Sequence, residues 1–375
     1  MKKIFFVGAS VGAIIWSGAG LAQDRLVSQG TDANAANAFG DNPAAFSPKE
    51  ANVGVEVQQR TNSHSLEVFG NNPSRSDFDV YQNRTNIAYM SPSGPGFTLG
   101  FTGMIDNRSV EASSNRGSDR RIVETFQTTE GGLRMIVGLS DKARVGLTMR
   151  YQAVRSNIVG SFSANESDRT IYTGTLLGYG LGLSVGDKTG SFGVAYLPPL
   201  KGKAKVSSES KIMADPGLTM AQVAFEVTPA LRVGGVIRKW THKRDDRVQP
   251  TTSPINQTAI FLAGTDVERD LLVDQEVQLG VDFLMGGGAA IRLSGATKQY
   301  EFVFDPEAVP GASGNVDNRF TSYVYGGALQ YAGPKSDFQA GLQINPRKKD
   351  FRQGGADRAY KAQDQTMFVA ISMGL

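Results

Sequence analysis

The final eleven residues, 365–375, constrain the fold more than any other stretch of the chain. Side chains alternate between the two faces of a β-strand, and here one face is apolar while the other is mainly small or polar. The apolar face carries Met367, Val369, Ile371, Met373 and Leu375. Phe368 is the exception on the opposite face. A final strand of this kind is typical of outer-membrane β-barrels, where it closes the barrel and is read by the barrel-assembly machinery.

The same alternation recurs along the rest of the chain. In residues 143–153, for example, the odd positions are mainly apolar, whereas the even positions include Arg144 and Arg150. About fourteen such segments have the length that a tilted membrane strand needs. They are predicted to begin near Ala51, Arg84, Phe97, Thr128, Ala143, Tyr172, Ser191, Leu218, Leu231, Leu271, Ala289, Phe320, Asp337 and Gln365. The sequence therefore predicts an all-β fold, a transmembrane antiparallel up-and-down barrel of about fourteen strands.

The connections between these segments alternate between short and long. Residues 140–142 and 286–288 are short connections, whereas 61–83 and 346–364 are long ones. Short periplasmic turns and long outer loops are the pattern of bacterial outer-membrane barrels. Soluble β-sandwiches and extracellular β-repeat proteins also alternate, but they do not sort their loops by length in this way. We therefore expect Lys335, in a short turn, to face the periplasm.

The amino terminus has the pattern of a signal peptide. Lys2 and Lys3 are positive, an apolar run follows, and Gly20 and Ala22 are small residues at the positions of a cleavage site. A membrane anchor is the alternative, but the apolar run is short for a span. We predict a signal peptide at 1–22, a periplasmic or plug segment at 23–48 and the barrel at 49–375.

Composition excludes several classes of function. The net charge of +3 offers no argument for nucleic-acid binding. With no cysteine and only two histidines, the chain offers little material for a metal site, and no cofactor is expected. His64 and His242 fall in predicted outer loops with aspartates nearby, where a histidine at the barrel rim could activate water. Histidines in solvated loops are usually ordinary surface residues, so no catalytic residue and no enzymatic activity is predicted.

Asn42, Pro43 and Ala44 stand just before the first predicted strand. With the strand count and the preceding segment, this tripeptide resembles the long-chain fatty-acid transporter family of the outer membrane, the FadL and TodX group. The resemblance implies a monomeric fourteen-stranded barrel whose amino-terminal segment forms a hatch in the lumen. It also implies passive transport of small hydrophobic or amphipathic, fatty-acid-like molecules. Asn42 would then offer its amide to lumen residues such as Glu56. No strand kink that would open a lateral exit is identified.

Charged residues on the polar faces are the candidates for lining the lumen. They are Glu56, Glu130, Arg134, Arg144, Arg150, Asp274, Glu276, Asp282 and Arg292. Such residues set pore selectivity or hold a plug in place, or they simply balance one another in water.

Two other functions remain open, a general diffusion porin, possibly oligomeric, and a structural or lipid-organising protein of the outer membrane. Glycines at lipid-facing positions, Gly235 and Gly327, favour a homo-oligomer because they permit close packing of barrels. Membrane lipids and lipopolysaccharide are the other expected partners, the latter through Lys201, Lys203 and Lys205.

Overall fold

The structure is a computed structural model. It describes residues 42–45, 50–69, 73–94, 96–114, 120–163, 166–187, 189–206, 209–215, 217–241, 269–304, 319–333, 335–353 and 356–375. The predicted signal peptide lies outside these ranges, as do His242 and all of the predicted plug segment except 42–45. Within the described ranges, no helix combines the length and the apolar character needed to span a membrane.

Sixteen β-strands make up the described fold. They are β1 (Asn52–Phe69), β2 (Ser74–Gly94), β3 (Phe97–Ser114), β4 (Arg120–Ser140), β5 (Ala143–Ser163), β6 (Glu166–Gly186), β7 (Gly190–Leu197), β8 (Leu200–Val206), β9 (Glu209–Asp215), β10 (Gly217–Thr228), β11 (Leu231–Thr241), β12 (Arg269–Gly286), β13 (Ala289–Phe304), β14 (Arg319–Ala332), β15 (Ser336–Gln353) and β16 (Ala356–Gly374).

The strands form one closed antiparallel barrel. From β1 to β6 and from β10 to β16 each strand pairs with the next one in sequence, and β1 closes the ring by pairing with β16 from Asn52 opposite Gly374 to Phe69 opposite Asp357. β7 and β8 follow one another along the same edge of β6, while β9 pairs with β8 and β10 pairs with β7. These four segments therefore occupy two positions in the ring. The prediction of a fourteen-stranded antiparallel barrel is confirmed.

The alternating pattern separates two surfaces of the wall. On β14, the side chains of Tyr323, Tyr325 and Leu329 are 57–60% exposed, whereas those of Ser322 and Val324, on either side of Tyr323, are buried. An outer face of apolar and aromatic residues is what the lipid contact of a transmembrane barrel requires.

Phe368, the exception in the final strand, points to the inner face. It is buried against Ala328, and a side chain at Gly341 would collide with its ring. The glycine therefore makes room for an aromatic side chain inside the barrel.

Where the structure describes the predicted long connections, they are mostly strand, which corrects the loop assignment there. β1 continues to Phe69 and β2 begins at Ser74, so the predicted connection 61–83 is largely a hairpin extension. The stretch 346–364 is likewise divided between β15 and β16. These extensions have no continuous apolar face, so hydropathy gives no strand signal, yet the ladder within each hairpin, β1 with β2 and β15 with β16, continues. The predicted short turns are correct to within about three residues.

Candidate functional site

A tight turn lies against the inside of the barrel at residues 42–45. All four residues are buried. The backbone N–H of Ala45 donates to the carbonyl oxygen of Asn42 at 3.1 Å, and the N–H of Ala44 donates to Asn42 Oδ1 at 3.0 Å. Pro43 fixes φ within the turn, and the asparagine side chain caps the backbone that follows it. We call residues 42–45 the hatch turn.

Three glycines on neighbouring strands form the floor under the hatch turn. Gly146 lies on β5, Gly182 on β6 and Gly193 on β7. A Cβ atom at either of the first two would overlap Asn42 or Pro43, and one at Gly193 would lie 2.7 Å from Asn42 Nδ2. Only glycine allows the turn to approach the wall this closely.

The amide of Asn42 donates to the wall, but not to the expected partner. Its Nδ2 donates to the carbonyl oxygen of Leu183 on β6 at 3.1 Å. The carboxylate of Glu56 instead accepts hydrogen bonds from Gln58 and Asn86, both at 2.8 Å. The expected bond between Asn42 and Glu56 is therefore wrong, because the glycine floor seats the turn on β5–β7 rather than on the first strand.

The ladder along β6 is interrupted just above the hatch turn. Pairing with β7 ends at Leu181 opposite Tyr196, and pairing with β8 resumes at Leu177 opposite Lys201. Three residues of β6 therefore face four on the other side, 197–200, a one-residue bulge. The two middle residues are Pro198 and Pro199, which have no N–H to donate to β6. We call this interruption the proline break.

The proline break corrects two interpretations of the sequence. Pro198 and Pro199 do not begin a loop, since Lys201 and Lys203 lie on β8. The proline break is also a local irregularity of the wall, of the kind that the sequence pattern did not reveal. Leu197 and Leu200, on either side of the prolines, are both buried, over Gly180 and Gly178 of β6.

An apolar cluster lies on the inner face beside the proline break. It consists of Ala195, Leu197, Leu218, Met220, Val236 and Trp240, each no more than 8% exposed. These residues come from β7, β10 and β11. On β7 the cluster begins only two residues beyond Gly193, so the hatch turn and the apolar cluster are adjacent along one strand.

The predicted lumen residues lie on the faces opposite the apolar ones. Glu56, Arg134, Glu276, Asp282 and Arg292 are 1–6% exposed. Glu130, Arg144, Arg150 and Asp274 are half-buried, the last at a bulge in the pairing of β12 with β13.

Several of these charged side chains form ion pairs across neighbouring strands. Glu276 lies 3.0 Å from the Arg238 guanidinium and 3.4 Å from Lys298 Nζ. Arg150 makes two hydrogen bonds to the carboxylate of Glu130, at 2.7 and 3.0 Å. Arg238 was missed by sequence reasoning because the glycine pair at 234–235 breaks the alternation on β11.

A second buried cluster contains aromatic residues and lies on β13, β14 and β16. The rings of Tyr300 and Phe320 stack at 5.2 Å, and Tyr360 meets Phe320 edge-on at 6.0 Å. The guanidinium of Arg347 lies 5.2 Å from the centroid of the Tyr300 ring. Arg347 and Arg60 both donate to Oδ2 of Asp364, at 2.7 and 2.6 Å.

Of the residues considered for a rim site of catalysis, the structure describes His64 and the aspartates near it. His64 lies on β1 opposite Phe78 of β2, and Asp77 and Asp79 lie on β2, so none of them is in a loop. Among the residues that the structure describes, no three potential metal ligands come together.

The two glycines expected to favour oligomers both lie beside leucine side chains of the barrel. A Cβ at Gly235 would lie 3.1 Å from the side chain of Leu279, and one at Gly327 would lie 3.6 Å from that of Leu293. These distances do not test whether a second barrel packs there, and a homo-oligomer remains a prediction.

The barrel is similar to solved structures of outer-membrane channels. A FadL homologue of Pseudomonas aeruginosa matches with a TM-score of 0.56 and 12% identity over 96% of this chain and 98% of that one. The P. putida toluene transporter TodX matches with a TM-score of 0.59 and 10% identity over 92% of this chain and 99% of that one. The Ralstonia pickettii toluene transporter TbuX matches with a TM-score of 0.52 and 11% identity over 96% of this chain and 99% of that one.

No protein-family model and no curated protein matches the chain. At this level of identity the likeness shows a shared fold. It is the fold that the resemblance to the FadL and TodX group implied.

Proposed function

We propose that this chain is an outer-membrane barrel that passes small apolar molecules across the outer membrane passively. The observation that carries the proposal is the apolar cluster on an inner face that also carries many buried charged and polar side chains, placed beside the proline break in the wall. The structurally similar TodX and TbuX are named toluene transporters, which supports the same class of cargo.

The apolar cluster has the strength that a transport site needs. Burying about 150 Å² of a small aromatic molecule at about 25 cal/mol/Å² gives about 4 kcal/mol. That free energy corresponds to a dissociation constant of about 1 mM. A site of this affinity collects an apolar molecule from water and also releases it.

Two features provide routes by which a bound molecule could leave the apolar cluster. The hatch turn lies on the side of the cluster nearer the short turns, so its displacement from Gly146, Gly182 and Gly193 would open a path down the wall. The proline break lies at the cluster itself, between outward residues Leu177 and Tyr196 that are 64% and 50% exposed. An apolar molecule moving from the cluster through this break would meet lipid rather than water.

A general porin fits these observations less well. The hatch turn occupies part of the lumen, and long charged side chains such as Arg238 and Lys298 are paired across the strands rather than left around an open channel. The chemistry proposed is binding and release, with no catalytic step and no cofactor.

Trp240 provides the test, because it is the only tryptophan outside the predicted signal peptide. Binding of 4-nitrotoluene, a small apolar quencher, should reduce Trp240 emission with saturation. Leu218→Ala removes apolar contact worth about 1 kcal/mol and should weaken binding about fivefold. Ile136→Ala, a buried inner position on β4, is the matched control and should leave the affinity unchanged.

Uptake of 4-nitrotoluene by intact cells completes the test. Cells with the protein should take it up faster than cells without it, and Leu218→Ala should reduce the difference while Ile136→Ala does not. Equal quenching in both variants, or uptake no faster than in cells without the protein, would contradict the proposal.

A further inference from the structure

The ladder between β14 and β15 stops well short of the ends of both strands. It runs from Ala332 opposite Asp337 to Tyr325 opposite Ile344. Beyond that point β14 still pairs with β13 as far as Arg319, and β15 still pairs with β16 as far as Gln353. Each strand therefore remains paired with its other neighbour, while the backbone pairing between β14 and β15 stops. We call residues 319–324 and 345–350 the seam.

Side chains hold the seam closed where the ladder ends. The amide of Asn345 accepts a hydrogen bond from Ser322 Oγ at 2.7 Å and donates one to the Tyr300 hydroxyl at 2.8 Å. Lys349 Nζ donates to the carbonyl oxygen of Arg319 at 2.9 Å. Pro346 follows Asn345 and has no N–H for a ladder.

These contacts make the seam easier to open than a paired wall. A side-chain hydrogen bond contributes about 0.5–1.5 kcal/mol, and rotation of a side chain is enough to break it. Opening a continuous ladder would instead leave several backbone groups without partners at once. The seam is therefore a part of the wall where two neighbouring strands can separate without loss of their other pairings.

The walls of the seam are aromatic on both sides. The buried stack of Tyr300 and Phe320, with Tyr360 edge-on, lies on the inner side. Tyr323 and Tyr325 are 57% exposed on the outer side. Tyrosines at such positions form the interfacial belts of membrane barrels, the level at which aromatic molecules with a polar group collect.

We propose that the seam is a side port for planar aromatic alcohols, with Tyr300, Phe320 and Tyr360 as the first binding subsite inside it. A ring would take the place of the Arg347 guanidinium over the face of Tyr300, and its hydroxyl would replace one of the hydrogen bonds of Asn345. The inference rests on the proposed function and adds to it a substrate class and a place of access. The apolar cluster would receive the molecule afterwards.

Locking the seam tests the proposal directly. The native chain has no cysteine, so Ser322→Cys with Asn345→Cys gives a single pair whose side chains face one another. Oxidation should join the pair and lower the initial rate of 1-naphthol uptake by intact cells at least severalfold, and a reductant should restore it. Gln330→Cys with Gln339→Cys joins the same two strands inside the ladder, as the matched control. Its uptake should not depend on oxidation.

A second variant tests the hydrogen-bonding group without a cross-link. Asn345→Ala should reduce the preference for 1-naphthol over naphthalene, because the partner of the hydroxyl is lost, while leaving naphthalene uptake equal or faster.

Several outcomes would overturn the side port. They are unchanged uptake in the oxidised seam pair, failure of that pair to join while the control pair joins, and an unchanged preference in Asn345→Ala. If the wild-type protein itself gives no 1-naphthol uptake above that of cells without it, the proposed function fails as well. Uptake by the wild type with no effect of the lock would remove the port alone.

Discussion

The inner faces of β5–β7 and of β11–β13 belong to the same barrel but are built from opposite residue types. On β5–β7 the wall is reduced to glycine at Gly146, Gly182 and Gly193, and another part of the chain lies directly on the backbone. On β11–β13 the wall carries long charged side chains, of which Arg238, Glu276 and Lys298 are bonded across three strands.

The difference shows two ways of filling a barrel of this width. Eight strands enclose a space that side chains can fill, whereas sixteen or more enclose a channel. Here long side chains fill one side, and small residues on the other side make room for the hatch turn. A charge network is costly to alter at any member, whereas a glycine floor is sensitive only to added volume.

The largest effect is expected where the network loses a charge. Glu276→Gln would leave Arg238 and Lys298 close together without the carboxylate between them, and breaking a buried pair costs about 3–5 kcal/mol. Urea-dependent unfolding in lipid vesicles measures the loss. Glu130→Gln breaks the half-buried pair with Arg150 and should cost clearly less. Equal losses would mean that the β11–β13 network is not the stabilising side of the barrel.

The next effect concerns volume on the glycine floor. Gly182→Leu would place atoms where Asn42 and Pro43 lie, and overpacking of about 1–3 kcal/mol exceeds the single hydrogen bond that ties the turn to Leu183. The hatch turn should leave the wall, and single-channel conductance in a planar bilayer should rise severalfold. Gly131→Leu is the control, since a Cβ atom there would meet no atom of a non-adjacent residue within 4 Å. A conductance rise in both variants would show that the floor has no special role.

A smaller effect is expected when the hatch turn loses its own bonds. Asn42→Ala removes the donor to Leu183 and the acceptor of Ala44, at a cost of about 1 kcal/mol for the contact with the wall. Ala44→Cys should then react with a maleimide about fivefold faster in the Asn42→Ala background than in the native one. The same rate in both would mean that glycine contacts alone hold the turn.

The smallest effect on stability is expected for a substitution in a short turn, outside the two inner faces compared above. Hydrogen bonds from Lys142 and Thr189 hold the pKa of the exposed Asp187 carboxyl well below its usual range. A lowered folded-state pKa stabilises the fold above the unfolded value and stops doing so as the pH falls through the folded value. Asp187→Asn should therefore be slightly less stable than the native protein at pH 7. The difference should shrink below about pH 4, where aspartate in the unfolded chain is protonated. A difference that grows on acidification would contradict this assignment.

The sequence predicted the barrel because lipid imposes a pattern that can be counted. Strand starts at the short turns, such as Ala143, Leu231 and Ala289, agree with the structure because apolar alternation begins there. The start predicted at Arg84 is ten residues late, since β2 begins at Ser74 in a stretch without an apolar face.

The site was harder to predict because its elements are contacts between distant segments. Asn42 and Pro43 were identified, but not the floor that receives them. The signal was present in the glycines at alternate positions 178, 180 and 182 of β6, which place three gaps on one face. Hydropathy patterns do not register an absent side chain, and the proline break was read as the start of a loop for a similar reason.

The pairing of β1 with β16 also determines when the barrel can form. Asn52 bonds across to Gly374, so the first strand has to wait for the last one before either edge is covered. Until then both edges present rows of unpaired backbone groups, which are templates for aggregation. Contacts this distant in sequence make closure slow. A chain shortened by its final strand would therefore fail by joining with other chains at its open edges, and not by a gradual loss of stability.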